Sequence, residues 1–484
     1  MKICAMRICA LKIVCYLITV FGLTIPAMSA ETITAPTKPN VLIIVGDDMG
    51  YADVGFHGCK EIPTPNLDAL AASGVKFTNG YVSGPYCSPT RAGLLTGRYQ
   101  QRFGHEFNPS GKNGLPVTEQ TLADRLKANG YRTALIGKWH LGNEKGMHPL
   151  DRGFDEFFGF LGGAHSYFDV KGVQRGRAQV DSLDYTTDAF ANEAVGYVER
   201  NKDKPWFLYL AFNAVHTPMH ATEKYLERFK SVADEKRRTY CAMMSAMDDA
   251  IGQVRNKLKE TGQLENTLIA FISDNGGPTM NGTTTNASIN QPLRGSKRTT
   301  LEGGVRVPFV LSWPGKLKPS VYDKPVIQLD LHATALAAAD IAPQASWKLD
   351  GVDLLPYLAA SNSTAASNST APKDPPHAAL YWRFGQQMAI RAGDWKLVAY
   401  DSNADTNTGK RQPVSSVKLY NLAQDIHEDH DLSAENPQMV KELKAQWDQW
   451  NQANIAPLWG NNGGEDESQK SEAKPNKNNG KNKN

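Results

Sequence analysis

Two apolar runs constrain the fold of this chain more than any other feature: Val41-Leu42-Ile43-Ile44-Val45 and Thr267-Leu268-Ile269-Ala270-Phe271-Ile272. Neither alternates polar with apolar residues, so each suits a strand covered on both faces, as in a parallel sheet between helices. Each ends in oxygen-bearing residues, Gly46-Asp47-Asp48-Met49-Gly50 after the first and Ser273-Asp274-Asn275-Gly276-Gly277 after the second. In open α/β sheets, ligands bind at the carboxyl edge of the strands. Adjacent carboxylates repel and need a cation or hydrogen-bond donors to stay ionised. Paired oxygens at such an edge suit a hard divalent metal. Asp-Asp alone is also a common polar turn, and two such strand ends carry more weight than either.

Between these runs the pattern alternates. Residues 119–129 read as a helix closed by Gly130, and 131–136 as a strand delivering Gly137-Lys138-Trp139-His140-Leu141-Gly142. Lys138 and His140, two apart, can share one face of an extended segment, or be a solvated lysine beside a surface histidine. Residues 205–212 form a further buried-strand pattern that delivers Val215-His216-Thr217-Pro218, where a lone histidine is also an ordinary structural residue. Residues 240–258 read as a helix whose Met243, Met244, Met247, Ile251 and Val254 belong to the core. The glycine-rich segment from Leu293 to Arg306, with Lys297 inside it, suits close approach by an anion.

The stretch Cys87-Ser88-Pro89-Thr90-Arg91-Ala92-Gly93-Leu94-Leu95-Thr96-Gly97-Arg98 adds a candidate nucleophile. With Ser88 as N-cap and Pro89 opening a helix, Cys87 falls just before a helix N-terminus, where free N–H groups favour an anion. Arg91 adds a positive fork on the same side. A buried, unactivated thiol is the alternative. The stretch matches C-x-P-x-R-x-x-L-x-T-G throughout and so resembles the type I sulfatases, of the arylsulfatase-like polysaccharide-sulfatase branch.

The resemblance spans roughly residues 39–451 and implies an α/β fold, alkaline-phosphatase-like. That fold has a large, mostly parallel sheet between helices and a smaller C-terminal antiparallel sheet and helix. It implies conversion of Cys87 to formylglycine, whose hydrate attacks sulfur, and one calcium ion held by Asp47, Asp48, Cys87, Asp274 and Asn275. Arg91, Lys138, His140, His216 and Lys297 take the other catalytic positions. In this assignment Lys138 and Lys297 hold sulfate oxygens, His216 is the acid for the leaving alcohol, and His140 removes the second hydroxyl's proton. Leu301 stands where relatives often carry an aromatic residue.

The segment Gly162-Gly163-Ala164-His165-Ser166-Tyr167 looks closer to polysaccharide than to steroid sulfatases. The implied partners are a sulfated carbohydrate, such as carrageenan, another galactan or a glycosaminoglycan, and the formylglycine-generating enzyme. His165, Arg152, His105 and Arg383 are candidate sugar contacts, each with a structural role as the alternative. A phosphatase or phosphonate monoester hydrolase of the same superfamily remains as another reading. So does a non-catalytic sulfated-glycan-binding protein with unmodified Cys87.

The 484-residue chain divides into a signal peptide (1–30), a catalytic domain (38–358), a flexible linker (359–376), a C-terminal subdomain (377–456) and a disordered tail (463–484). Basic Lys2, Arg7 and Lys12 precede the apolar run 13–23 and the small residues Ala27-Met28-Ser29-Ala30, which predicts a secreted or periplasmic protein with no membrane association after cleavage. Without the leader's three cations the formal charge of +3 becomes 3 − 3 = 0, which argues against nucleic acid as a partner. Cys59, Cys87 and Cys241 remain after cleavage, so Cys59 and Cys241 are either free thiols or a bridge. The linker repeats Ala-Ser-Asn-Ser-Thr and holds the sequons at Asn362 and Asn368. After it, three short strand patterns and a helix over 440–450 predict the small subdomain.

Overall fold

A computed structural model describes residues 38–361, 372 and 374–460. The signal peptide, both sequons, most of the linker and the tail lie outside the described residues. Among the described residues one sheet runs in the order Ser320–Tyr322, Val75–Phe77, Phe309–Ser312, Thr267–Ser273, Asn40–Gly46, Trp206–Ala211, Arg132–Lys138, Glu156–Phe160, Gln174–Arg175, Ala178–Gln179. The five strands from Thr267–Ser273 to Glu156–Phe160 are parallel, and the flanks are mixed. The edges are a three-residue strand on one side and a two-residue hairpin strand on the other.

The unbroken apolar runs are explained by two cores. Leu42, Ile44, Leu208, Leu210, Ile269 and Phe271 face one layer, packed by the helices Pro65–Ala72, Thr186–Arg200 and Glu235–Glu260. Val41, Ile43, Val45, Phe207, Tyr209, Leu268 and Ile272 face the other, with Leu94 and Leu95 of the Cys87–Thr96 helix and Leu331 and Leu336 of Asp330–Ala338. Period two sends alternate residues to opposite faces, so a strand between two layers has no polar face to show. Truncating one such leucine to alanine costs about 2–5 kcal/mol. Met243, Met244 and Met247 are fully buried in the first layer, as expected.

A four-stranded antiparallel sheet, Leu380–Phe384, Gln387–Ala392, Trp395–Ala399 and Lys418–Asn421, carries the Pro437–Gln452 helix. Trp382, Trp447 and Trp450 share its core with Tyr81, Tyr99, Leu301 and Val305 from the large-sheet region, so the two parts share a continuous apolar interior. This is the alkaline-phosphatase-like architecture the resemblance implies. The fourth strand, Lys418–Asn421, adds to the three expected. Cys59 and Cys241 are free thiols, both in the first apolar layer.

Candidate active site

Parallel strands end at one edge, so their connecting loops bring distant residues together. Gly46 pairs with Ser273, Val45 with Ala211, and Ala211 with Gly137. Four adjacent strand ends therefore present Asp274 and Asn275, Asp47 and Asp48, the loop to His216, and Lys138. The Cys87–Thr96 helix supplies Cys87 and Arg91, and the loop after Gly295 supplies Lys297. All ten of these residues, His140 included, are buried.

Cys87 Sγ lies 3.7 Å from Asp47 Oδ1 and 3.9 Å from Asp48 Oδ1. Lys138 Nζ donates to Asp47 Oδ2 at 2.5 Å, and Lys297 Nζ to Asp48 Oδ2 at 2.8 Å. Arg91 donates through Nε and Nη2 to Asp274 Oδ2 at 3.0 and 2.7 Å, with Nη2 3.6 Å from Asp47 Oδ2. Asn275 Nδ2 donates to Asp48 Oδ1 at 2.7 Å, and the Asp48 amide to Asp274 Oδ1 at 3.2 Å. His216 Nε2 is 3.5 Å from Asp48 Oδ2, while its Nδ1 faces Thr217 O at 2.6 Å.

The charges hold one another. Burial works against ionised Asp48, but Lys297 and His216 outweigh it and bring the carboxyl down to about 2. Burial works against the Lys297 ammonium, but Asp48 and the other acidic neighbours hold it well above its usual range. Burial and the nearby Asp47 push Asp274 up to about 6 against the pull of Arg91. Burial drives the Cys87 thiol well above its ordinary range despite Lys138 and Lys297. Such a thiol is neither a thiolate nucleophile nor a good partner for a hard cation. His140 is pushed well down by burial and by Lys138, Arg91 and His216, so it is a neutral imidazole. Burial lowers His216 to about 4 against the pull of Asp48, and Lys297 and Lys138 add to the lowering.

Among the described residues several groups lack partners: Arg91 Nη1, Asn275 Oδ1 and His140 Nδ1 are buried without a hydrogen bond. An orphaned amide oxygen beside Asp47 and Asp48 fits an oxygen-seeking cation. Ligand atoms of Asp47, Asp48, Cys87 and His216 lie within 4.8 Å of one another. Both Asp274 oxygens, by contrast, already take donors, from Arg91 and the Asp48 amide.

The local reading of the Cys87 helix needs one correction. Tyr86 is the N-cap, and Cys87 is the first helical residue. Ser88 Oγ does not cap; it donates to His140 O at 2.6 Å and contacts His105 Nε2 at 2.6 Å. That contact fixes His140, whose backbone is left-handed at φ 59°. A Cβ on Gly163 would lie 2.5 Å from His140 Nε2, so glycine is needed there. Beside His140 opens a cleft of about 300 Å³ lined by Gly111, Asn113, Gly142, Asn143 and Gly162.

Three expected sugar contacts are used up inside the fold. Arg152 donates to the carbonyls of Leu115, Pro116 and Glu119; His105 braces Ser88; Arg383 pairs with Glu106 at 2.8 Å and donates to Asn451. His165 stacks on Phe160, its ring nitrogens facing Ser166 O at 2.6 Å and Lys171 O at 2.9 Å. Sequence reasoning missed two residues at the site. Thr284 Oγ1 is 3.4 Å from both Asp48 Oδ2 and Lys297 Nζ, and Asn286 Nδ2 donates to Asp48 O at 3.0 Å and Val215 O at 2.9 Å. They sit in a Thr/Asn-rich loop with no periodicity to single them out.

Residues 39–341 match the family model described as Sulfatase. The chain is 35% identical to Arylsulfatase J of Mus musculus over 88% of this chain and 78% of that protein. It is 32% identical to Arylsulfatase A of Homo sapiens over 86% and 88% of the two chains. Among solved structures, Ps i-CgsB in complex with k-i-k-neocarrahexaose superposes with a TM-score of 0.80 at 33% identity, covering 91% of this chain and 98% of that one.

Proposed function

This chain belongs to the sulfatase family and is a sulfuric ester hydrolase; from that premise we propose a secreted or periplasmic enzyme acting on a sulfated polysaccharide. Its substrate is a carrageenan or another galactan, or a glycosaminoglycan. The likeness to a structure holding a neocarrahexaose favours the first of these. One observation carries the reading: Cys87 faces Asp47 and Asp48 at 3.7 and 3.9 Å, with Lys138 and Lys297 on the same carboxylates.

Asp47, Asp48, Asp274, Asn275 and position 87 would hold one calcium ion, which when bound supplies fixed positive charge toward the reacting oxygens. Conversion of Cys87 by a formylglycine-generating enzyme would supply, as the aldehyde hydrate, an oxygen nucleophile that the protonated thiol is not. Lys138 and Lys297 bind sulfate oxygens, and Arg91 fixes Asp274 through two donors. His216 gives its proton to the leaving sugar oxygen. An arriving sulfate ester offsets the charges of Lys297 and Lys138, which add to burial in lowering this imidazole. His140, a neutral imidazole, would take the proton of the second hydroxyl at position 87, so that the bond from that carbon to the sulfate oxygen breaks, sulfate leaves and the aldehyde returns. The cleft beside His140 receives the sugar.

Mass spectrometry of the Cys87 peptide, paired with rates on sulfate and phosphate monoesters, tests this. The expected result is an aldehyde at position 87 and faster cleavage of the sulfate ester. Full activity from protein carrying only the thiol, or preference for phosphate, would overturn it.

A further inference from the structure

Lys297 lies in a loop that the C-terminal region around the small sheet grips at both ends. At the front, Arg294 Nη1 donates to Glu428 O at 2.6 Å, and Nη2 to Tyr400 Oη at 2.8 Å and to Asp405. At the back, the Glu302 amide donates to Glu428 Oε2 at 2.8 Å. Lys396 Nζ donates to Glu302 Oε1 at 2.8 Å and lies 3.0 Å from Glu428 Oε1, an ion pair without hydrogen-bond alignment. Tyr81 Oη and Arg306 Nη1 take Glu302 Oε2 at 2.6 and 3.3 Å. The side chains of Glu302, Lys396 and Glu428 are all fully buried. Glu428 therefore touches both ends of the loop, one with its carbonyl and the other with its carboxylate, and it holds a left-handed backbone at φ 61° to do so.

The gripped segment leans on the strand-end site. Gly303 N donates to Arg294 O at 2.7 Å, closing the loop on itself. Gly276 N donates to Gly304 O at 3.1 Å, and a Cβ on Gly276 would lie 1.8 Å from Gly303 O. The Lys297 amide donates to Gly277 O at 3.2 Å. A shift of Glu302 is thus passed by backbone contact to Lys297 and to the turn that carries Asn275.

We propose that Lys396 and Glu428 are positioning residues of the reaction, acting through Glu302 to set Lys297. The inference rests on the reading of Lys297 as a sulfate-binding cation. Without Lys396 its two buried carboxylates face each other, and one must move or take up a proton. Movement drags the loop, and misplacement by about 1 Å at a reacting group costs about 10²-fold.

The test measures kcat and KM on nitrophenyl sulfate, with Tm, for full-length Lys396→Met, Glu428→Ala, Glu428→Gln, Lys297→Ala and the Lys396→Met/Lys297→Ala double variant. The expected loss for Lys396→Met and Glu428→Ala is about 10- to 100-fold in kcat/KM. The double variant should be no slower than Lys297→Ala alone, because both changes remove one function. Burial and Glu302 push the Glu428 carboxyl up to about 7, so neutral glutamine is a close mimic and Glu428→Gln should keep most activity. Multiplying losses in the double variant, or full activity in folded Lys396→Met, would overturn the inference while leaving the Lys297 assignment standing. Parental activity in Lys297→Ala would instead remove that assignment and the inference with it. Should Lys396→Met not fold, the Glu428→Ala/Lys297→Ala pair decides by the same comparison.

Discussion

Two buried clusters of charge lie along this chain, and they are built to opposite rules. At the strand ends, Asp47, Asp48, Asp274, Arg91, Lys138 and Lys297 hold one another, yet Arg91 Nη1, Asn275 Oδ1 and His140 Nδ1 have no hydrogen-bond partner among the described residues. In the joint to the small sheet, Glu302, Lys396, Glu428 and Arg306 each meet an opposite charge within 3.3 Å. Orphaned polar atoms are costly in the interior, and three of them gathered around one set of carboxylates suit a ligand that completes them. The first cluster is open toward a ligand and the second is closed by protein. Burial and charge alone do not distinguish a reactive site from a structural joint; among the described residues the strand-end cluster leaves atoms of three residues without a hydrogen bond, whereas the joint leaves only Glu428 Oε1, which Lys396 Nζ faces at 3.0 Å.

Replacing Cys87 breaks the comparison most severely. Cys87→Ala should abolish turnover while the Tm stays near that of the parent, since the side chain lost is small. Retained turnover would place the nucleophile elsewhere. Chelation comes next: stripping divalent ions should remove activity, and calcium should restore it better than zinc, given oxygen donors and no thiolate. The same titration sharpens the contrast, because a ligand that binds only the folded state raises Tm. Calcium should raise the Tm of the parent and of Lys396→Met, but not of Asp48→Asn. An equal rise in all three would put the ion outside the strand-end cluster.

His216→Ala should lose about 10²–10⁴-fold on a sulfated sugar, whose alkoxide leaves poorly, and much less on nitrophenyl sulfate. Lys138→Ala should harm both esters evenly, as it meets the sulfate they share. Equal losses for His216→Ala on both would make it a binding group. The smallest effect belongs to the closed cluster. Glu428 is raised from 4.5 to about 7 by burial and Glu302, so the folded protein holds this proton more tightly than the unfolded chain. Its stabilising share is full below about pH 4.5 and fades as pH rises through 7. Glu302, lowered to about 2 because Lys396 and its arginines outweigh burial, loses its share only on acidification, outside this window. The Tm advantage of the parent over Glu428→Gln should therefore shrink between about pH 4.5 and 7; a constant gap would show no such proton.

The open cluster was largely legible in the sequence, and the closed one was not. Val41 to Val45 and Thr267 to Ile272 announce doubly covered strands, and parallel topology then forces Asp47, Asp48, Asp274 and Asn275 to one edge. Lys138 and His216 follow because the first ends a buried strand and the second lies in the loop after one. Ser88 was misread as a cap because its hydroxyl is claimed by His140 O, 52 residues on, which local propensity does not register. Arg152 and Arg383 stay undecided between a sugar contact and a structural role in the sequence, because nothing nearby in it names the carbonyls and the carboxylate that bind them. Glu302, Lys396 and Glu428 carry no motif at all; the last lies 126 residues from the amide it accepts, and only the packed subdomain joins them.

The ends of the large sheet bear on handling the enzyme in concentrated solution. A ten-stranded open sheet offers two rows of unpaired backbone groups to any neighbouring molecule, and long flat edges are where such sheets recruit one another into aggregates. Here one border is Ser320–Tyr322, followed by Lys324, and the other is Ala178–Gln179, preceded by Arg177. Each is too short to template a second strand of useful length, and each has an ion pair beside it, Lys324 with Asp323 and Arg177 with Asp151. The wide sheet that gathers these residues thus finishes, among the described residues, in borders of three and two residues, which leave little backbone for a neighbouring strand to pair with.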